Sequence, residues 1–121
     1  MIDHVTLRVS EFEASKRFYD TVLAPLGHTA TFVTGDPPFA EWGDFSIMIT
    51  ADGATISRDV HIAFSAAGRE EVDAFHAAGV AAGYVDNGAP GERPQYHVGY
   101  YGAFLLDPDG NNVEAVFHNR P

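Results

Sequence analysis

Apolar and polar residues alternate at the start of the chain. In "IDHVTLRV", Val5, Leu7 and Val9 fall on one side and His4, Thr6 and Arg8 on the other, the signature of a half-buried strand. The pattern then changes period. Ser10 and Glu13 form an S-x-x-E capping box ahead of Ala14, Phe18, Val22 and Leu23, which predicts an amphipathic helix ended by Pro25 and Gly27. A second alternating run, "DVHIAFS", precedes a second helix from about Arg69 to Ala82, with Val72, Phe75 and Gly79 on one face and Glu70 and Glu71 at its start.

Three short strands are expected after each helix. In the first half they lie near Thr29–Val33, Phe39–Trp42 and Phe45–Thr50. In the second half they lie near Tyr84–Val85, Tyr101–Leu106 and Asn112–Phe117. Gly35-Asp36-Pro37-Pro38, Gly88-Ala89-Pro90-Gly91 and "DPDG" at 107–110 read as loops and turns. Setting His4 over His61 aligns Val5 with Ile62, Leu7 with Phe64, Glu13 with Glu70 and Phe18 with Phe75. The order βαβββ therefore occurs twice. One unit spans about 1–52 and the other about 59–118, joined by 51–58, in a single α+β domain covering 1–121. Each unit is too small to bury a core alone, so the two are expected to share a sheet with helices on one side and a concave face on the other.

Alternation also sorts residues by face. Val5, Leu7, Val9, Phe45, Ile47, Ile49, Ile62, Phe64, Val113, Ala115 and Phe117 belong to the helix side. His4, His61 and Glu114 all fall on the concave side, in the first strand of each unit and the last strand of the second. Two imidazoles and a carboxylate suit Fe, Mn, Zn or Ni and leave positions open for substrate.

Composition narrows the class. The chain has 17 acidic and 7 basic residues, a formal charge of −10 and no cysteine. Such a charge repels a phosphate backbone, so nucleic acid is not an expected partner. No apolar run is long enough to span a membrane, and no secretory leader precedes the first strand. With the missing cysteines, this points to a cytoplasmic protein.

"IDHVTLRVSEFEASKRFYDTVLAPLG", "VHIAFSAAGREEVDAFHAA" and "YGAFLLDPDGNNVEAV" resemble the vicinal oxygen chelate superfamily, which includes glyoxalase I, extradiol dioxygenases, fosfomycin-resistance thiol transferases, methylmalonyl-CoA epimerase and bleomycin-resistance proteins. The resemblance covers nearly the whole chain. It implies paired βαβββ units in a cup-shaped half-barrel, commonly as a homodimer. It also implies that His4, His61 and Glu114 are metal ligands. The remaining ligand slot, in the last strand of unit one, falls near Ser46 or Met48, so the set has three members. His97 matches a histidine of the extradiol enzymes, and Phe104 stands where they carry a tyrosine.

A divalent ion in such a set polarises two neighbouring substrate oxygens, a step shared by isomerases, thiol transferases and dioxygenases. His97 and Tyr101 are the candidates for proton transfer; His118 is a weaker one. Arg8 and Arg93 are candidates for an anionic substrate group, and Tyr96, Trp42 and Met48 for the cavity wall. A metal-dependent enzyme acting on a small oxygen-rich molecule is the leading expectation. The alternatives are a metal-free binding protein of the bleomycin-resistance kind and a pocketless interaction module. The three ligands can meet within one chain or across two.

Overall fold

A computed structural model describes residues 1–50 and 55–120. Of the expected junction at 51–58, residues 51–54 lie outside that description. The elements run β1 (Val5–Val9), α1 (Phe12–Leu23), a short 3₁₀ turn (Ala24–Leu26), β2 (Phe32–Gly35), β3 (Pro38–Trp42), β4 (Phe45–Ile49), β5 (His61–Ser65), α2 (Arg69–Ala81), β6 (Val85–Glu92), β7 (Tyr100–Leu106) and β8 (Asn112–His118). This is the expected βαβββ order, twice.

Each unit carries its own four-stranded mixed sheet, in the orders β1-β4-β3-β2 and β5-β8-β7-β6. The first strand of each unit runs parallel to the last, and the other pairings are antiparallel. The repeat extends to the register. Thr6 lies opposite Ser46 in unit one, as Ala63 lies opposite Glu114 in unit two. Ser46 thus occupies the place in the first unit that Glu114 occupies in the second.

The expectation of one shared sheet needs correction, because no ladder joins β1 to β5 among the described residues. The units share a core instead. Leu7, Val9, Phe18, Tyr19, Val22, Leu23 and Ile47 from the first unit cluster with Val72, Phe75, Leu105, Val113 and Ala115 from the second. Aromatic rings cross the seam: Phe45 meets Phe64 edge-on at 5.1 Å, and Tyr19 lies 6.5 Å from the same ring. Burying this apolar surface is the main favourable term in folding, and it requires both units. The two units meet through their helix sides.

Two local expectations also change. Ser10 does not cap α1; Glu11 is the N-cap residue and makes no side-chain cap bond. Ser10 turns to Asp109, donating its hydroxyl to Oδ1 and its backbone N–H to Oδ2 at 3.1 Å. Gly88-Ala89-Pro90-Gly91 lies within β6 rather than in a loop, where register shifts against β7 mark an irregular edge strand. Proline and glycine are tolerated there because an edge strand has one side free of ladder bonds.

The "DPDGN" turn ties the units together. Asp107 Oδ1 accepts the backbone N–H groups of Asp109 at 3.0 Å and Asn111 at 2.9 Å. Its Oδ2 accepts the hydroxyl of Tyr19, on α1, at 2.7 Å. Asn111 Oδ1 accepts the Val60 N–H at 3.0 Å, just ahead of β5. Burial, and then the Asp107 carboxylate beside it, hold the Tyr19 phenol well above its usual pKa.

Tyr19→Phe leaves Asp107 one donor short in a buried site, and urea unfolding at neutral pH should find it less stable by about 2 kcal/mol. In the wild type the unfolded chain releases its tyrosine protons above about pH 10 while native Tyr19 keeps its own. Native protein then holds more protons, so stability falls as pH rises through that range, by up to about 1.4 kcal/mol per pH unit for this residue. An alkaline unfolding series should show a shallower fall in the Phe variant.

Candidate functional site

The concave face of unit two is built by β5, β7 and β8. Alternation places His61, Tyr100, Gly102, Phe104, Glu114 and His118 on it, while Tyr101, Ala103 and Leu105 face the helix side. Glu114 is the centre. It is only 1% exposed, although it stands on the face opposite the core. Its Oε1 lies 2.7 Å from His61 Nε2, and its Oε2 accepts the hydroxyl of Tyr100. Gly102 lets the carboxylate come this close to the strand. A Cβ there would stand 2.9 Å from Glu114 Oε2 and 3.2 Å from Tyr100 Cε1.

Tyr100 is the residue that the sequence reading passed over in favour of its neighbour. The Tyr101 hydroxyl donates to Asp73 of α2 at 2.6 Å, and Arg69 lies 4.6 Å from its ring centroid. It is tied to the outer side of the sheet and does not join Glu114. The period of two gives the reason: Tyr100 pairs with His118 and Tyr101 with Phe117, so one step along β7 changes the face. Burial, then the hydrogen bond to Glu114, push the Tyr100 phenol above its usual pKa. It therefore keeps its proton at neutral pH and presents it to Glu114 Oε2.

The 93–100 loop forms one end of this wall. Backbone bonds from Arg93 N–H to Tyr100 O (2.9 Å), Tyr96 N–H to Arg93 O (3.0 Å) and Tyr100 N–H to His97 O (3.2 Å) hold it tight. Tyr96 packs edge-on to Tyr100 at 4.9 Å. His97 Nε2 lies 2.9 Å from His118 Nδ1, and the two rings stack. The Nδ1–H of His97 donates to Val98 O at 2.8 Å, so in the neutral ring Nε2 is the acceptor.

His4 stands elsewhere. Its side chain is 70% exposed and its Nδ1 lies 2.8 Å from Asp3 Oδ1. It borders a cavity of about 260 Å³ on unit one, with Thr6, Phe39, Glu41, Asp44 and Ser46. Among the described residues no three His, Asp or Glu side chains converge to hold a metal within one chain. His61 and Glu114 are therefore brought together, and His4 is not. Ser46 is satisfied locally, 2.8 Å from the Thr6 hydroxyl and donating to Val5 O at 3.2 Å. Arg8 and Met48 lie on the same concave face of unit one as His4, opposite each other in the β1–β4 ladder. Trp42 does not, because it pairs with Phe45 on the helix side, is buried, and donates its indole N–H to Asp20 at 3.1 Å. Its neighbour Glu41 takes the concave position; alternation along β3 carried that signal.

The chain matches the family model of the glyoxalase/bleomycin resistance protein/dioxygenase superfamily over residues 1–115. A glyoxalase/bleomycin resistance protein from Albidiferax ferrireducens T118 is 33% identical, with a TM-score of 0.80 over 95% of this chain and 97% of that one. A glyoxylase/bleomycin resistance protein/dioxygenase domain from Frankia sp. EAN1pec is 21% identical, with a TM-score of 0.74 over 98% of both chains. A lactoylglutathione lyase from Agrobacterium tumefaciens is 19% identical, with a TM-score of 0.68 over 97% of this chain and 92% of that one. The last two show the fold alone. Among curated proteins none matches the sequence. No helix among the described residues is long and apolar enough to cross a membrane.

Gly102→Ala inserts a methyl group between Glu114 and Tyr100. Denaturant unfolding should find a loss of about 1–3 kcal/mol from this overpacking.

Proposed function

The chain belongs to the glyoxalase/bleomycin resistance protein/dioxygenase superfamily, and we propose that within it the protein is a divalent-metal-dependent enzyme acting on a small, oxygen-rich substrate. One observation carries the reading: the buried Glu114 carboxylate, with an imidazole nitrogen on one oxygen and a phenol on the other. A carboxylate withdrawn from water needs a compensating charge or donors. An imidazole nitrogen and a carboxylate oxygen are donors that Fe, Mn, Zn and Ni accept. His61 and Glu114 fit such an ion, and Tyr100 orients the carboxylate as outer-shell partners of metal ligands do.

A bound divalent ion supplies Lewis acidity toward two adjacent substrate oxygens. The chain's own groups do the rest. Tyr100 keeps Glu114 turned so that Oε1 faces His61. Tyr96 and Phe104 wall the face with aromatic surface, and the His97–His118 pair provides a nitrogen base beside it. Isomerase, thiol-transferase and dioxygenase chemistry are each compatible with this frame.

The third ligand in this reading is His4 from a second copy. Its face and the His61 face lie apart in one chain, so a homodimer setting unit one of one copy against unit two of the other completes the set. The separation of His4 from His61 and Glu114 also favours a second reading, a metal-free small-molecule binding protein.

Protein purified without a histidine tag should bind Mn, Fe, Zn or Ni by metal analysis and calorimetry. His61→Ala and Glu114→Ala should abolish that binding, and Tyr100→Phe should weaken it by about 10–100-fold. A wild type that holds no divalent ion leaves the metal-free reading. Refolding a mixture of His4→Ala and Glu114→Ala chains tests the shared site. Mixed dimers place both changes in one site and restore the other, so metal binding should return to part of the population.

A further inference from the structure

The chain has seventeen acidic residues for seven basic ones, so its cations have carboxylates to choose from. Lys16 takes Asp20 and Arg69 takes Glu92, each at 2.7 Å. Arg93 and Arg120 do not: among the described residues neither forms an ion pair with a carboxylate, as Arg8, Arg17 and Arg58 also do not. Arg93 donates from Nη2 to Ala89 O at 2.8 Å and from Nη1 to Glu92 O at 3.3 Å. Arg120 donates from Nε to His97 Nε2 at 3.2 Å. Carbonyl oxygens and an imidazole orient these guanidiniums without cancelling their charge.

Both stand on the concave face of unit two. Arg93 Cζ lies 5.4 Å from the centroid of Phe104, whose ring is also 6.1 Å from that of His61. One phenyl ring is thus bordered by both the guanidinium and the imidazole. Arg120 reaches the other end of the wall through His97, which is paired with His118. A guanidinium has five N–H donors in a planar fork suited to carboxylate and phosphate. Arg93 spends two on carbonyls, which fix its plane and leave donors free. The result is a cationic wall in a chain of net charge −10, beside the buried Glu114 carboxylate.

We propose that this wall binds an anionic group of the substrate, a carboxylate or phosphate, with Arg93 as the main anchor and Arg120 with His118 closing from the end of β8. The proposal rests on reading this face as the substrate face. It narrows the substrate to a small acid whose anionic group sits beside Phe104 while its other oxygens address His61 and Glu114. The local field on this wall is opposite in sign to the net charge of the chain, and the local field selects the ligand.

The test uses the full chain stripped of metal by a chelator and dialysed. Inorganic phosphate is titrated at neutral pH and fixed ionic strength, followed by calorimetry and by ¹H–¹⁵N spectra. Saturable binding is expected, with shifts in the amides of residues 93–102. Arg93→Gln should weaken it about tenfold, the loss of one charged hydrogen-bonded contact. Arg17→Gln, which removes the same charge from the outer face of α1, should leave it unchanged. The proposal is overturned by a wild type that does not saturate, by equal weakening in both variants, or by an unaffected Arg93→Gln. It also falls if Arg93→Gln disrupts self-association while phosphate has no effect, since Arg93 would then pair with a carboxylate of a second copy. No metal is present, so a protein that binds phosphate but no metal sinks only the metal reading. One that binds metal but no phosphate sinks only this proposal.

Discussion

The arrangement depends on one carboxylate, Asp107. It lies where unit two turns from β7 into β8, yet one of its oxygens is bonded to Tyr19 in unit one. The other closes the turn on Asp109 and Asn111. Asn111 then reaches Val60, where β5 is about to begin. A single side chain thus fixes the start of β8 and holds α1 against it, while Asn111 sets the entry to β5. The strands that carry Glu114 and His61 are placed by the same turn. Because the buried core runs across both units, a loosened turn would loosen the Glu114 face as well as the seam.

That coupling separates what the sequence made legible from what it did not. The faces of β1, β4, β5 and β8 follow from a period of two, and the structure keeps every assignment made there for the helix side. Val72, Phe75 and Gly79 are the buried residues of α2, as the helical period indicates. The errors came where a tertiary partner outbid a local one. Ser10 has the spacing of a cap, but Asp109, distant in sequence, takes its hydroxyl. Gly88 and Pro90 carry the chemistry of a loop, but β7 draws them into an irregular edge strand. Tyr100 and Tyr101 are adjacent aromatics of equal promise until the register of β7 against β8 is known. "DPDG" marks the turn, but the register across it follows from the bonds that Asp107 makes within it to Asp109 and Asn111.

His4 illustrates a different limit. The repeat relates it to His61: His4 stands just ahead of β1 and His61 opens β5, both on the concave side by alternation. Equivalence within a repeat is not proximity. The units meet through their helix sides because that is where their apolar area lies, and His4 stays exposed in unit one while His61 meets Glu114 in unit two. Face and repeat position identify equivalent side chains, but they do not say which of them come together.

The two faces have also diverged in chemistry while keeping the same backbone frame. Ser46 and Glu114 occupy equivalent rungs, but Ser46 is a short hydroxyl satisfied by Thr6 and Val5, whereas Glu114 is a full carboxylate held by His61 and Tyr100. Around Ser46 the wall carries Glu41, Asp44 and Asp3; around Glu114 it carries Arg93, His97, His118 and Arg120. An isolated carboxylate among apolar strands would be costly to bury. Surrounding it with donors and positive charge lowers that cost and gives the face a selective field. A copy with two carboxylate-centred faces would repeat the cost on the side where His4 stands exposed. Keeping the buried carboxylate in one unit and a plain hydroxyl in the other lets the duplicated fold concentrate its polar chemistry on a single wall.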